Sequence, residues 1–223
     1  MRIAIIIPTL DEEDSIVAAV RQALALGDEV WVADGGSDDA TRSLARSLGA
    51  GVVCGPAGRG CQLNQGARAS TADILLFLHA DSQLPPAAGE RIREAVAGGA
   101  VGGGFQMRFD SERRIQRLGA WLINLRTRLV GWPLGDQAQF IRRDVFVALG
   151  GFREWPILED LDLIRRLERR GRLVVIPDPV TTSARRFLRQ GVARTIATNW
   201  LIWGLYFCGV PPSRLASLYR HVR

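Results

Sequence analysis

Ile74-Leu75-Leu76-Phe77-Leu78-His79-Ala80-Asp81 is the stretch on which the fold turns. Its apolar run is too short for a helix buried on all sides. It fits a strand covered on both faces, as in a parallel sheet. The run stops abruptly at His79 and Asp81. In open α/β sheets, ligands sit beyond the carboxyl ends of the strands. A carboxylate there, with an imidazole two residues earlier, is placed to hold a divalent cation or a phosphate-bearing ligand. The alternative is an aspartate that opens a loop or caps the next helix.

Working outward, the same pattern recurs towards the N-terminus. Ile3 to Ile7 is a continuous β-branched run ended by Pro8, and a helix is expected from about Glu12 to Leu26. Glu29 to Ala33 reads as a second strand ending in Asp34, followed by a helix stopped by Gly49. Val52 to Cys54 is a short third strand, and Gly55 to Gly60 is a flexible loop before a helix that runs to about Ala69. The order β-α-β-α-β-α-β implies right-handed parallel crossovers. Asp11/Glu12, Asp34 and Asp81 follow three of those strands, which gathers acids at one edge of a sheet.

Towards the C-terminus, Pro85-Pro86 opens a helix, and Gly103 to Phe109 is a strand framed by glycines. Ser111 is positioned to cap a helix from about Glu112 to Val130. Ile115, Leu118, Leu122, Leu125 and Leu129 recur every three or four residues, so this helix is expected to bury that apolar face. Gln139 to Ile141 is a short strand, and Leu158-Glu159-Asp160 begins a helix ending at Gly171. Arg172 to Ile176 and Val180 to Ala184 are read as two strands. Phe187 to Leu218 is read as helix with breaks.

The 223 residues suit one large domain with a C-terminal extension, and 47% apolar content supplies a core. The net charge of +6 comes entirely from arginine against acid, since lysine does not occur. Such a balance admits nucleic acid, an anionic membrane surface or small phosphorylated ligands as partners. No stacking-aromatic pattern accompanies the arginines, which argues against nucleic acid. Cys54, Cys61 and Cys208 are odd in number and lack CxxC spacing, so neither a disulfide framework nor a zinc site is expected. The apolar start is too short for a signal peptide, and no run is long enough to span a bilayer, so a cytoplasmic location is expected. Trp200 to Val210 is apolar and aromatic, with Arg185, Arg186, Arg189 and Arg194 before it. An interfacial helix, a helix packed on the catalytic domain and a homodimer contact all fit that run.

Taken together, the motifs resemble a family 2 glycosyltransferase of the GT-A fold. Ile7-Pro8-Thr9-Leu10-Asp11-Glu12-Glu13 looks like its first-strand motif, and Val32 to Thr41 like its second. Arg59 to Ala67 sits where the family has a nucleotide-side loop and helix. Leu78 to Asp81 takes the place of the metal-binding DxD run, and Gly150-Gly151-Phe152 with Glu159-Asp160 matches the acceptor-side turn and catalytic acidic pair. The C-terminal segment also looks like the radical-SAM/selenodomain-associated transferase subgroup. Three positions depart from the family pattern: Asp11 replaces the usual Asn, Gly35 the second Asp of the second motif, and His79 the first Asp of DxD.

The resemblance implies a Rossmann-like three-layer α/β sandwich with a mostly parallel central sheet. Residues 1–186 would form the GT-A domain, with a nucleotide half (1–84) and an acceptor half (85–186), and 187–223 a helical extension. It implies inverting transfer of a sugar from a nucleoside-diphosphate sugar to an acceptor hydroxyl, with Mg²⁺ or Mn²⁺ as cofactor. In that scheme Pro8 and Thr9 wall the base, Asp34 accepts from base or ribose, and Glu12 reaches the nucleoside. Arg59 forks onto the phosphates, and Asp81 holds the metal, with His79 as a second candidate ligand. Asp160 is the base and Glu159 orients it; two adjacent acids raise each other's proton affinity, which suits a base. Gly135, Asp136, Gln137 and Trp155 line the acceptor side. A lipid-linked acceptor would favour membrane contact through 187–210, on the inner face. A nucleotidyltransferase would share the sheet and the metal but need basic residues near the first strand, where Asp11 to Asp14 stand instead. A non-catalytic sugar-nucleotide binder is the other alternative, given His79 in the DxD position.

Overall fold

Side chains alternate across a strand, so a strand that is apolar at every position needs cover on both faces. β1 (Ile3–Thr9) meets that condition. Ile3, Ile5 and Ile7 face one cluster with Ile16 and Val20, while Ala4 and Ile6 face another with Leu63, Phe77 and Leu161. β4 (Ile74–Phe77) is divided the same way, Ile74 and Leu76 on one side, Leu75 and Phe77 on the other. The computed structural model describes residues 1–111, 113–184 and 191–220.

The first half is α1 (Glu13–Leu26), β2 (Glu29–Asp34), α2 (Thr41–Ser47), β3 (Gly51–Cys54) and α3 (Arg59–Ala69) around β1 and β4. The second half adds β5 (Ser82–Gln83), α4 (Ala88–Ala97), β6 (Gly102–Phe109), α5 (Arg114–Val130), β7 (Phe140–Arg142), α6 (Arg143–Ala148), α7 (Glu159–Glu168) and β8 (Leu173–Thr182). Two further helices follow, α8 (Val192–Phe207) and α9 (Pro212–Arg220). The eight strands form one sheet in the order β3-β2-β1-β4-β7-β6-β8-β5. Pairings β1/β2, β1/β4, β2/β3 and β6/β8 are parallel; those of β7 with β4 and β6, and of β5 with β8, are antiparallel. This is the mixed three-layer α/β sheet of the GT-A type. From β1 the chain winds outward through β2 and β3, then returns to place β4 on the other side. The carboxyl ends of β1 and β4 therefore flank a topological switch point, where such sheets bind ligands.

Two expectations change. The two strands expected within 172–184 are one strand, β8 (Leu173–Thr182), whose register jumps from Ile176 opposite Phe105 to Pro179 opposite Gln106. Pro177 and Asp178 form the irregularity; Pro177 has no N–H to give the ladder, so pairing skips it. α5 buries only part of its expected face. Ile115, Leu118 and Leu129 are exposed, with Trp121 beside them, and Leu122 and Leu125 are half-buried, whereas Gln116, Gly119, Ala120 and Thr127 are buried. Polar bonds set this orientation. Asn124 Oδ1 accepts from Met107 N–H at 2.9 Å, Asn124 Nδ2 donates to Met107 O at 2.8 Å, and Thr127 Oγ1 donates to Gln137 Oε1 at 2.9 Å.

α8 and α9 pack on the acceptor half through Ile202 and Leu215 against Ile157, with Leu158, Leu205, Tyr206 and Val210 around them. The 186/187 boundary, Glu112, Arg185, Arg186 and Arg189 lie outside the described residues, as does the side chain of Arg194. Among the described residues no helix is long and apolar enough to cross a membrane.

Candidate active site

The loops after β1 and β2 are laced together by the acids that mark them. Asp34 is fully buried and accepts from Gly36 N–H (3.1 Å), Ser37 N–H (2.9 Å), the Ser37 hydroxyl and the Thr9 hydroxyl (3.2 Å). Burial pushes its proton affinity up, but these donors outweigh it and hold the carboxyl below its ordinary value. Two acceptor positions on each oxygen are thereby used inside the chain. Asp34 shapes the turn; touching a base or ribose would require exchanging one of these bonds.

Asp11, where the family has Asn, sits at φ +54, a left-handed conformation that Asn and Asp tolerate best among non-glycine residues. Its N–H donates to Ser37 Oγ at 3.0 Å and its Oδ1 accepts from Asp38 N–H at 2.9 Å. Glu12 is half-buried and accepts from Ser15 Oγ at 2.6 Å. Gly35 is explained by packing. A Cβ there would lie 3.0 Å from Gln62 Nε2 and 3.2 Å from Ala57 Cα.

Gln62, which no motif singled out as a site residue, ties the two strand ends together. Its Nε2 donates to Thr9 O at 2.7 Å and Ala33 O at 2.9 Å, and its Oε1 accepts from Gly58 N–H at 3.3 Å. The only signal in the sequence was an amide on the helix after a glycine loop.

Arg59, the first residue of α3, reaches across to the acidic pair at the start of α7. Its Nε donates to Glu159 Oε1, its Nη2 lies 3.1 Å from Asp160 Oδ2, and its Nη1 lies 3.3 Å from His79 Nε2. Gly135 N–H also donates to Asp160 Oδ2 at 2.9 Å, and Leu161 N–H to Oδ1 at 2.8 Å. Gly135 is needed there: a Cβ would stand 3.0 Å from Asp160 Oδ2 and 3.2 Å from Arg59 Nη1. Leu158, just before the pair, holds φ +65, an uncommon conformation for a branched apolar residue and one that costs about 1–2 kcal/mol.

The two acids separate in proton affinity. Glu159 is 2% exposed, and burial, with Asp160 adding to it, pushes it up against the pull of Arg59. Asp160 is pushed up by burial too, but Arg59 and the Gly135 and Leu161 N–H groups bring it below its ordinary value. The expectation that adjacency raises both therefore fails for Asp160, because a cation from another helix and two backbone donors outweigh its neighbour.

Pro8, Arg59, Leu78, His79, Gly135 and Asp160 line one narrow cleft at the carboxyl ends of β1 and β4. Asp81, two residues beyond His79, is exposed, next to Ser82, whose N–H donates to His79 O at 3.1 Å. The acceptor-side candidates divide. Gly135 is in the cleft. Burial pushes the Asp136 carboxyl up, against the pull of Arg126. Gln137 is fully buried; its Nε2 donates to Phe105 O at 2.9 Å, and its Oε1 accepts from Arg126, Thr127 and Leu134. It pins the loop and does not line the cleft. Trp155 packs edge-on against Tyr206 of α8, ring centroids 6.2 Å apart.

A divalent cation of the Mg²⁺ or Mn²⁺ kind needs oxygen ligands from the chain, its substrate or water. Among the described residues no group of three or more His, Cys, Asp or Glu side chains could hold one. Asp81 fits as a single carboxylate ligand, the arrangement a hard cation accepts when phosphates and water complete its shell. With Arg59 in this position its Nη1 lies 3.3 Å from His79 Nε2, and since an arginine only donates, that lone pair opens to a metal only when Arg59 turns away.

Known proteins resemble the chain in sequence and in fold. Glycosyl transferase family 2 matches residues 4–148. The beta-monoglucosyldiacylglycerol synthase of Synechocystis sp. is 28% identical over 202 residues, covering 74% of this chain and 40% of that protein. The chain thus spans less than half the length of this curated relative. The glucosyl-3-phosphoglycerate synthase of Mycobacterium tuberculosis, solved with Mg²⁺ and uridine diphosphate, superposes with a TM-score of 0.65 at 24% identity, covering 95% of this chain and 81% of that one. S. aureus TarS 1-349, solved with UDP-GlcNAc, gives a TM-score of 0.64 at 16% identity, covering 82% of this chain and 58% of that one. These two share the fold. With the acidic pair, the strand-end cleft and a family match over most of its length, the chain belongs to glycosyl transferase family 2.

Proposed function

We propose that the protein transfers a sugar from a nucleoside-diphosphate sugar to an acceptor hydroxyl, with inversion at the anomeric carbon. The observation that carries this reading is the Arg59–Glu159–Asp160 cluster in the cleft at the β1/β4 switch point. Pro8 walls the nucleoside, with Glu12 at its edge, while Thr9, buried with its hydroxyl on Asp34, joins Asp34 and Gln62 in holding the loops that receive it. Without ligand, Arg59 neutralises the acidic pair. A diphosphate offers its guanidinium a competing bidentate partner, and turning towards it exposes Asp160. Asp160, ionised at neutral pH, then takes the acceptor hydroxyl's proton on the face opposite the leaving group. Glu159 positions Asp160, and Gly135, Asp136 and Trp155 bound the acceptor side. Mg²⁺ or Mn²⁺, held by Asp81 and the diphosphate, would offset the charge that develops on the β-phosphate.

Uridine diphosphate is the first nucleotide to test, since both structural neighbours were solved with uridine nucleotides. A lipid acceptor is the first acceptor class, since the Synechocystis relative is named for a glucosyldiacylglycerol. The division into halves 1–84 and 85–186 with an extension from 187 belongs to the same proposal. So does a peripheral membrane contact through 187–210, where Trp200, Leu201 and Phe207 are exposed.

The experiment incubates the protein with a panel of nucleotide sugars, diacylglycerol and Mg²⁺ or Mn²⁺, and follows nucleoside diphosphate release. Metal-dependent release is expected. Pyrophosphate release from a nucleoside triphosphate would instead assign a nucleotidyltransferase, and sugar-nucleotide binding without turnover a binding protein.

A further inference from the structure

α5 presents its apolar face to solvent and its small and polar face to the sheet. Ile115, Leu118, Trp121 and Leu129 are all at least half exposed, from 51% to 77%. On the buried side, Asn124 and Thr127 make the bonds described above, so the helix cannot roll to hide the leucines without leaving those groups unpaired. Beside the apolar stripe runs a groove of about 540 Å³ whose lining includes Arg108, Arg117, Arg128 and Trp121 and no acid. Arg113 and Arg114 stand exposed at the amino end of the helix. No acidic residue occurs from Arg113 to Gly135. α8 packs alongside, with Arg126 of α5 over the Trp203 ring at 5.1 Å.

We propose that the outward face of α5 is a docking surface for an anionic phospholipid bilayer. A helix with leucine and tryptophan on one stripe and only arginine as its charge lies in the plane of a membrane interface, its apolar side chains in the acyl boundary and its cations among the headgroups. The groove beside Trp121 places Arg108, Arg117 and Arg128 where a phosphate headgroup meets them. Charge favours the bilayer over a second copy of the chain. A two-fold contact through this face would set its arginines against the same arginines, with no acid on the helix to pair them. The inference rests on the lipid-acceptor reading for its purpose, but not for its physics.

The test is co-sedimentation of the intact protein with phosphatidylcholine vesicles, with and without phosphatidylglycerol. Binding to the anionic vesicles, weakened by salt, is expected. Leu118→Ser with Trp121→Ser should weaken partition about tenfold or more, since those side chains give up burial in the acyl boundary. Arg114→Glu with Arg117→Glu should remove the preference for phosphatidylglycerol, and both pairs should leave nucleoside diphosphate binding unchanged. The proposal is overturned if the wild type ignores anionic vesicles, or if either pair binds them as well as wild type. It is also overturned if the wild type is a dimer in solution that Leu118→Ser with Trp121→Ser dissociates. Vesicle binding by a protein that neither binds nor turns over nucleotide sugars would sink the proposed function and leave this surface standing.

Discussion

Asp160→Asn is expected to slow sugar transfer by about 10²–10⁴-fold and to leave nucleotide binding within a few-fold of wild type. Each carboxylate oxygen of Asp160 accepts one backbone N–H, from Gly135 and from Leu161, and Arg59 contacts the first. An asparagine keeps the shape but puts an NH₂ group against one of those donors, a local cost of about 1 kcal/mol. The larger effect is chemical. An amide takes no proton, and removing a positioned base slows transfer about 10²–10⁴-fold. Nucleoside diphosphate release under saturating donor, with donor affinity measured separately, checks both halves. Unchanged release would assign the base elsewhere.

The second large effect falls on stability. Arg59→Met leaves Glu159, 2% exposed, without its cation. Breaking a fully buried pair from one side costs about 3–5 kcal/mol, and the loss here should be smaller because 34% of the Arg59 side chain is exposed and screened by water. The loss should depend on pH in a defined direction. Burial already pushes Glu159 above its ordinary 4.5, and removing Arg59 pushes it further. A carboxyl raised in the folded state binds its proton more tightly folded than unfolded. Stability is therefore greatest below the unfolded value and falls as pH rises through the folded one. Arg59→Met should accordingly be least stable relative to wild type at pH 8 and recover part of the loss near pH 5. Adding Glu159→Gln should restore much of the stability by removing the stranded charge, which a thermodynamic double-mutant cycle reads directly. If Arg59→Met melts like wild type at pH 8, the ion pair is not what holds the acids together.

The parallel half of the sheet was legible because β1 and β4 are apolar at successive positions, a pattern that only two-sided burial explains. The acids after β1, β2 and β4 were legible for the same reason, since polar residues are conspicuous where such runs end. What those acids do inside the chain was not. Nothing in Val32 to Asp39 says that Asp34 spends its acceptor positions on Thr9, Gly36 and Ser37, because that depends on how two loops meet. The direction of the Asp160 shift was hidden too, since Arg59 lies about a hundred residues earlier in the chain.

α5 shows a different limit. Its periodicity correctly gave a helix with one apolar stripe, but periodicity does not say which face turns inward. Asn124 and Thr127, bonded to β6 and to Gln137, decide that. The single strand β8 was read as two because Pro177 interrupts the pairing pattern without ending the strand.

The central claim is that Asp81, after β4, and Arg59, in the cleft at the ends of β1 and β4, together grip a metal-bound sugar nucleotide. Calorimetric titration of uridine diphosphate, with and without Mn²⁺, tests it without knowing the acceptor. The wild type should bind about ten times more tightly or better when Mn²⁺ is present, and Asp81→Ala should lose that gain while keeping its fold. Equal affinities in all four titrations, or a metal effect that survives Asp81→Ala undiminished, would contradict it.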